Sequence, residues 1–124
     1  MKPRIGIIPG DPGGIGPELI AKLLADSDVH EKADILLIGD RHLFEMGQTQ
    51  AGTETEMVVC DANKGDWTDI SGLAIHERET IAADDVRLAE VTYANGHSAL
   101  SNLNCALEMA RDGIIDAITF GPFN

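Results

Sequence analysis

The sequence predicts an α/β fold, a parallel or mixed sheet with flanking helices, and three observations carry that expectation. Short apolar runs (Ile5 to Ile8, Ile35 to Ile38, Met57 to Cys60) have the character of strands buried on both faces. Amphipathic stretches at helical spacing lie between several of them. A turn dense in glycine, Gly10-Asp11-Pro12-Gly13-Gly14-Ile15-Gly16-Pro17-Glu18, joins the first run to the first amphipathic stretch. Strands alternating with helices imply right-handed crossovers, with ligands bound by loops at the carboxyl ends of the strands. Residues 10–16 and 121–124 are two such loops.

In chain order, Arg4 to Pro9 reads as the first strand. A helix follows from Pro17 to Ala25, with Ile15, Leu19, Ile20, Leu23 and Leu24 as its apolar members. Pro17 suits a first helical turn because its missing N–H would be unpaired there, and the Glu18 carboxylate complements the positive end of the helix dipole. Asp26-Ser27-Asp28 breaks that pattern. Ile35 to Ile38 forms the second strand, ending in Gly39-Asp40, and Leu43, Phe44 and Met46 suggest a short helix closed by Gly47. Residues 48–56 read as polar loop and Met57 to Cys60 as the third strand. Residues 61–72 are turn-rich, with Trp67 pinning the loop to the core. Leu73 to His76 is a further short strand. Residues 77–94 offer only Val86, Leu88 and Val91 as apolar anchors. A helix from His97 or Ser98 to Asp112 places Leu100, Leu103, Leu107 and Ala110 on one face, with Ser98 and Ser101 as caps and Gly113 as its stop. Ile114 to Phe120 is the last strand, with Ile115, Ala117 and Ile118 as its apolar members.

Length and composition bound the function. A chain of 124 residues is one domain at most, with no internal repeat and no boundary inside residues 1–124. The net charge of −12, from 21 acids against nine Lys and Arg, excludes nucleic acid and anionic membrane surfaces as partners. Cys60 and Cys105 form no paired motif, which fits a reduced, cytoplasmic protein. No window approaches the roughly 18 apolar residues of a membrane span.

The opening loop is neither of the two familiar phosphate cradles. Gly14 and Gly16 give G-x-G, but Leu19 stands in place of the third glycine of a dinucleotide fingerprint. No Gly-Lys-Ser/Thr follows, and Glu18 would oppose a phosphate at the helix start. The loop is either a tight structural turn or a ligand-approach loop in which Asp11 and Glu18 orient a polar group. Four glycines in nine residues favour the second. His30, His42, His76 and His97 have no metal-ligand spacing and read as surface or capping residues, and Asp84-Asp85 as a solvated turn. No complete catalytic constellation is present.

Ile5-Gly6-Ile7 running into Gly10 to Glu18 resembles the amino-terminal signature of the 4-hydroxythreonine-4-phosphate dehydrogenase family. Gly96, Ser98, Leu100, Leu107, Ala110, Gly113, Asp116-Ala117 and Pro122-Phe123-Asn124 resemble that family's helix and the strand leading into its Ala-Pro-Ile-Asn-Lys motif. The resemblance implies an isocitrate/isopropylmalate dehydrogenase-like fold, of which residues 1–124 form the amino-terminal portion of a two-domain enzyme. It implies NAD-dependent, metal-dependent oxidation of a phosphorylated hydroxy acid, with possible decarboxylation, such as 4-phosphohydroxy-L-threonine in pyridoxal phosphate biosynthesis. The Phe123-Asn124 ending resembles a paralogous branch acting on threonate or erythronate 4-phosphate. Family members are homodimers with the active site in an interdomain cleft. Gly10, Asp11, Gly14, Ile15, Gly16 and Glu18 are accordingly expected to line the cofactor side of the cleft, and Pro122 and Asn124 the substrate side. The ligands of the divalent metal (Zn, Mg or Co) are expected outside this chain, which alone is expected to be inactive.

Overall fold

The computed structural model describes residues 2–123. Five strands form one all-parallel sheet in the order β3-β4-β2-β1-β5: β1 Arg4–Ile8, β2 Asp34–Gly39, β3 Met57–Cys60, β4 Leu73–Glu77 and β5 Ala117–Phe120. Four helices flank it: α1 Gly16–Leu24, α2 Ser27–Lys32, α3 Arg41–Ala51 and α4 Tyr93–Arg111. Single 3-10 turns lie at Trp67–Asp69 and Ala83–Asp85.

Alternation along the strands sets the layers. Ile7, Ile35, Leu37, Leu73 and Ile75 point to one face, where Ile20, Ala21 and Leu24 of α1 and Phe44 of α3 cover them. Ile8, Leu36, Ile38 and Ala74 point to the other, covered by Ala106 and Met109 of α4 together with Trp67, Ala62 and Ile115. Both faces of the central strands are thus buried, each large side chain contributing about 1.5–3 kcal/mol. The chain moves outward from β1 to β2 and β3 with its helices on the first face. It returns through β4 to β5 with Trp67 and α4 on the second, so reversal of direction and change of face keep one crossover hand. Trp67 is pinned as expected, buried and donating its indole N–H to Ile114 O at 3.2 Å.

Several local expectations are corrected. Gly47 does not end the third helix; it is buried inside α3, where a Cβ would overlap the Pro17 carbonyl. The helix runs on to Ala51 and stops at Gly52, whose φ of 72° is the left-handed cap. Asp26 begins a helix as well as breaking one, its carboxylate capping α2 through Asp28 N–H. Of the five apolar residues expected on α1 only Ile20 and Leu24 are buried; Ile15, just before the helix, and Leu19 and Leu23 lie on the adjacent i, i+4 row, which is exposed. Helix α4 starts at Tyr93 with Thr92 as its cap, so Ser98 and Ser101 are not caps. Its buried face carries Asn95, Ser98, Ala99, Asn102, Ala106 and Met109, while Leu100 and Leu107 are 63% and 53% exposed. The last strand is shorter than expected, with Ile114 and Ile115 before it and Ala117 exposed at the sheet edge.

Candidate functional site

Five segments leave the carboxyl ends of the strands. Those after β1 and β5 meet: Gly121 N–H donates to Ile8 O at 3.0 Å, and Asp11 N–H donates to Pro122 O at 3.0 Å. Asp11, buried, shapes the turn by accepting Gly13 N–H at 2.8 Å on its carboxylate and Gly14 N–H at 3.0 Å on its carbonyl. The structure therefore brings residues 10–18 and 121–123 to one edge of the sheet. Asn124, named from the sequence with Pro122, lies outside the described residues.

The glycines of the loop serve different purposes. At Gly10, with φ of 77°, a Cβ would lie 2.6 Å from Pro122 O and overlap Gly121 O. At Gly16 it would overlap Pro9 O, and at Gly121 it would come within 2.8 Å of Gly16 Cα. At Gly13 it would sit 2.5 Å from Asn95 Nδ2. These four positions are glycine because backbone meets backbone or a buried amide. Much of the glycine density that favoured a ligand-approach loop is thus accounted for by packing within the chain. Gly14 differs: a Cβ there would have Asp11 O, 3.5 Å away, as its nearest neighbour. Of the loop residues named from the sequence, Gly10, Asp11 and Gly16 are buried, whereas Gly14, Ile15 and Glu18 reach the surface beside exposed Pro122. The first group is held within the fold and the second reaches solvent.

Sequence reading missed a second polar constellation at the same edge. Asp40, following β2, is buried and accepts Thr80 N–H at 2.8 Å, Thr80 Oγ1–H at 2.8 Å and Ile81 N–H at 3.0 Å. Thr80 Oγ1 lies 2.6 Å from Ser98 Oγ of α4. Residues 40–42 and 77–82, with Tyr93, Ala94 and His97, line a crevice of about 710 Å³ beside this network. The Gly39-Asp40 strand ending was the available signal; Thr80 lay in the stretch that hydropathy leaves unreadable. Asn102, also buried, has neither amide atom paired, and Asn95 Oδ1 is likewise unpaired.

Among the described residues no three His, Cys, Asp or Glu side chains converge on a point that would hold a metal ion. His30 and His42 bind the carbonyls of Leu24 and Ile81, and His97 stacks on Tyr93. His76 Nδ1 accepts Ala62 N–H at 3.2 Å, and burial pushes the imidazole below its ordinary range while nearby Asp61 opposes that shift. The ring is neutral near pH 7, so its 3.9 Å approach to Asp61 is not an ion pair. Burial likewise raises the Cys60 and Cys105 thiols, making them poor nucleophiles. No helix among the described residues is long and apolar enough to cross a membrane.

No protein-family model matches the chain. Individual relatives do. A Pseudomonas aeruginosa protein provisionally named 4-hydroxythreonine-4-phosphate dehydrogenase 2 is 42% identical over 123 residues, covering 98% of this chain and 36% of its own length. A Rhizobium meliloti protein of the same name is 42% identical over 127 residues, 99% of this chain and 35% of its own. A Clostridium botulinum protein provisionally named D-threonate 4-phosphate dehydrogenase is 31% identical over 124 residues, 99% of this chain and 37% of its own. The crystal structure of a 4-hydroxythreonine-4-phosphate dehydrogenase from Burkholderia phymatum superposes with a TM-score of 0.87 at 29% identity, over 100% of this chain and 37% of that one. The chain thus spans about a third of the length of the relatives it matches, and the same fold runs through that third.

Proposed function

From a chain related along its whole length to proteins named 4-hydroxythreonine-4-phosphate dehydrogenase, we propose that residues 10–18 and 121–124 form one wall of the cleft of a dehydrogenase acting on a phosphorylated hydroxy acid. Residues 1–124 are, in this reading, the amino-terminal portion of a two-domain, homodimeric enzyme. The observation that carries the role of the loop is Gly14. Its missing side chain is not required by any neighbour in the fold, so its backbone is open to the close approach of a ligand.

NAD is the cofactor proposed, and when bound it accepts the hydride removed from a secondary alcohol. Gly14 and Ile15 offer backbone to the cofactor, and Glu18 an acceptor for a hydroxyl, while buried Gly10, Asp11 and Gly16 fix their positions. Pro122 faces the substrate from the neighbouring loop. A divalent metal does not fit the donors present among the described residues, so no step through it follows from this chain. Its ligands are placed outside these residues. The substrate is 4-phosphohydroxy-L-threonine, on the route to pyridoxal phosphate; the similarity to a protein named for D-threonate 4-phosphate gives the second reading, a four-carbon sugar-acid phosphate.

Calorimetric titration of NAD into the purified chain tests the wall. Weak binding is expected, lowered at least fivefold by Gly14→Ala, with no NADH formed when metal and substrate are added. Unchanged affinity in Gly14→Ala sinks the role of the loop, and metal-dependent NADH production by the chain alone sinks the incomplete-cleft reading.

A further inference from the structure

Residues 82–92 bury almost nothing. Leu88 and Val91 are 55% and 82% exposed, and residues 87–91 contain neither helix nor strand. Hydrophobic burial therefore does not hold this segment, yet it takes a defined path across the glycine-rich loop. Its polar contacts explain the path. Asn95, 0% exposed in the first turn of α4, donates through Nδ2 to Arg87 O at 2.9 Å and to Glu90 O at 3.3 Å. Between those two carbonyls Ala89 adopts φ of 59°, and its N–H donates to Gly13 O at 2.8 Å. A left-handed alanine is strained by about a kcal/mol or more, so the surrounding contacts dictate the conformation. Gly13 in turn fits only because it has no Cβ, which would meet Asn95 Nδ2 and Arg87 O.

We propose that Asn95 is a positioning residue, which folds residues 87–90 into a strap over Gly13 and so sets where Gly14, Ile15 and Glu18 stand on the cleft wall. One buried amide holds two strap carbonyls, and the strap holds the loop through a single backbone hydrogen bond. Asn95 itself is braced by Thr92 Oγ1, which accepts its backbone N–H at 3.1 Å. The proposal rests on the cleft reading above for its functional consequence, but the strap itself is a property of the free chain.

Hydrogen exchange on the 124-residue chain, followed amide by amide, tests it without ligand. In Asn95→Ala, exchange of the Ala89 and Gly14 amides is expected to rise at least tenfold, while the Leu36 and Leu37 amides of β2 change less than threefold. Asn95→Asp, which keeps the shape and loses both donated bonds, behaves the same way. If the two Asn95 variants fail to fold, Ala89→Pro breaks the strap from the exposed side, because it removes the N–H to Gly13 and cannot adopt the positive φ of Ala89, and it gives the same rise at Gly14. NAD titration then reads the consequence, a loss of affinity of at least fivefold in each variant. Unchanged exchange at Ala89 and Gly14, or a proportional rise across the β2 amides, overturns the proposal, because Asn95 would then be only a stability residue. Exchange that behaves as described in a chain that never binds NAD supports the strap and refutes the cofactor reading instead.

Discussion

Residue by residue, the glycine-rich loop separates positions where the fold excludes a side chain from one, Gly14, where it does not. Gly16→Ala forces a methyl into Pro9 O, a backbone atom that cannot rotate away, and should cost about 2–3 kcal/mol. Gly14→Ala meets nothing closer than 3.5 Å and has no positive φ, so it should raise stability by about 0.5 kcal/mol through the unfolded chain. Urea denaturation followed by Trp67 fluorescence measures both; equal losses would show that Gly14 is also a packing residue. The composition of the loop was legible in the sequence, but its reasons were not. Gly121, whose carbonyl occupies the space that a side chain at 10 would need, arrives from the far end of the chain.

Among the elements, the strands were the most legible, α2 was missed outright, and in α4 the buried face was misread. A buried parallel strand is a continuous apolar run, which no other element in the chain imitates at that length. Helix α4 carries two stripes. Leu100 and Leu107 form the obvious apolar one, yet the sheet receives Asn95, Ser98 and Asn102 beneath the loop ends and Ala99, Ala106 and Met109 beneath the strands. Small and polar residues win that face because the helix crosses the carboxyl edge of the sheet, where Thr80 Oγ1 awaits a partner and Gly39 packs close to Asn102. Hydropathy alone cannot see such partners. Met109→Ala should therefore cost about 3 kcal/mol, and Leu107→Gln less than about 0.5 kcal/mol. Thermal melts of the two variants check this, and the reverse order would restore the leucine stripe to the core. Helix α3 was misread for a related reason: Gly47 has the look of a stop signal, but α1 needs it for close approach, so the true stop falls at Gly52.

For the whole molecule, the strand β5 side is less finished than the rest. In an all-parallel sheet a strand is expected to be covered on both faces, whereas β5 leaves Ala117, Thr119 and Phe120 exposed, Phe120 by 58%. Ile15, Leu19 and Leu23 of α1 and Leu100 and Leu107 of α4 add further exposed apolar surface. A chain spanning a third of its relatives has room in them for what would cover these groups. The isolated chain should accordingly bind a hydrophobic dye such as ANS at neutral pH while keeping a cooperative melt. Failure to bind the dye would mean that these residues are too scattered to act as one surface. The charge of −12 works against self-association at low salt, so light scattering should show larger species as salt is raised.

The position of β1 has a consequence for how the molecule assembles. It is the first of the five strands in sequence, yet it lies between β2 and β5, and its pairing with β5 begins where Arg4 meets Asp116, 112 residues later. One edge of β1 therefore stays unpaired until residues 117–120 have been made. Closing so long a loop comes late and slowly, and because Gly121 follows directly after β5, the knot of Pro9, Gly10 and Gly16 against Gly121 can form only in that last step. The junction of the two loops is thus among the last contacts within residues 2–123 to form.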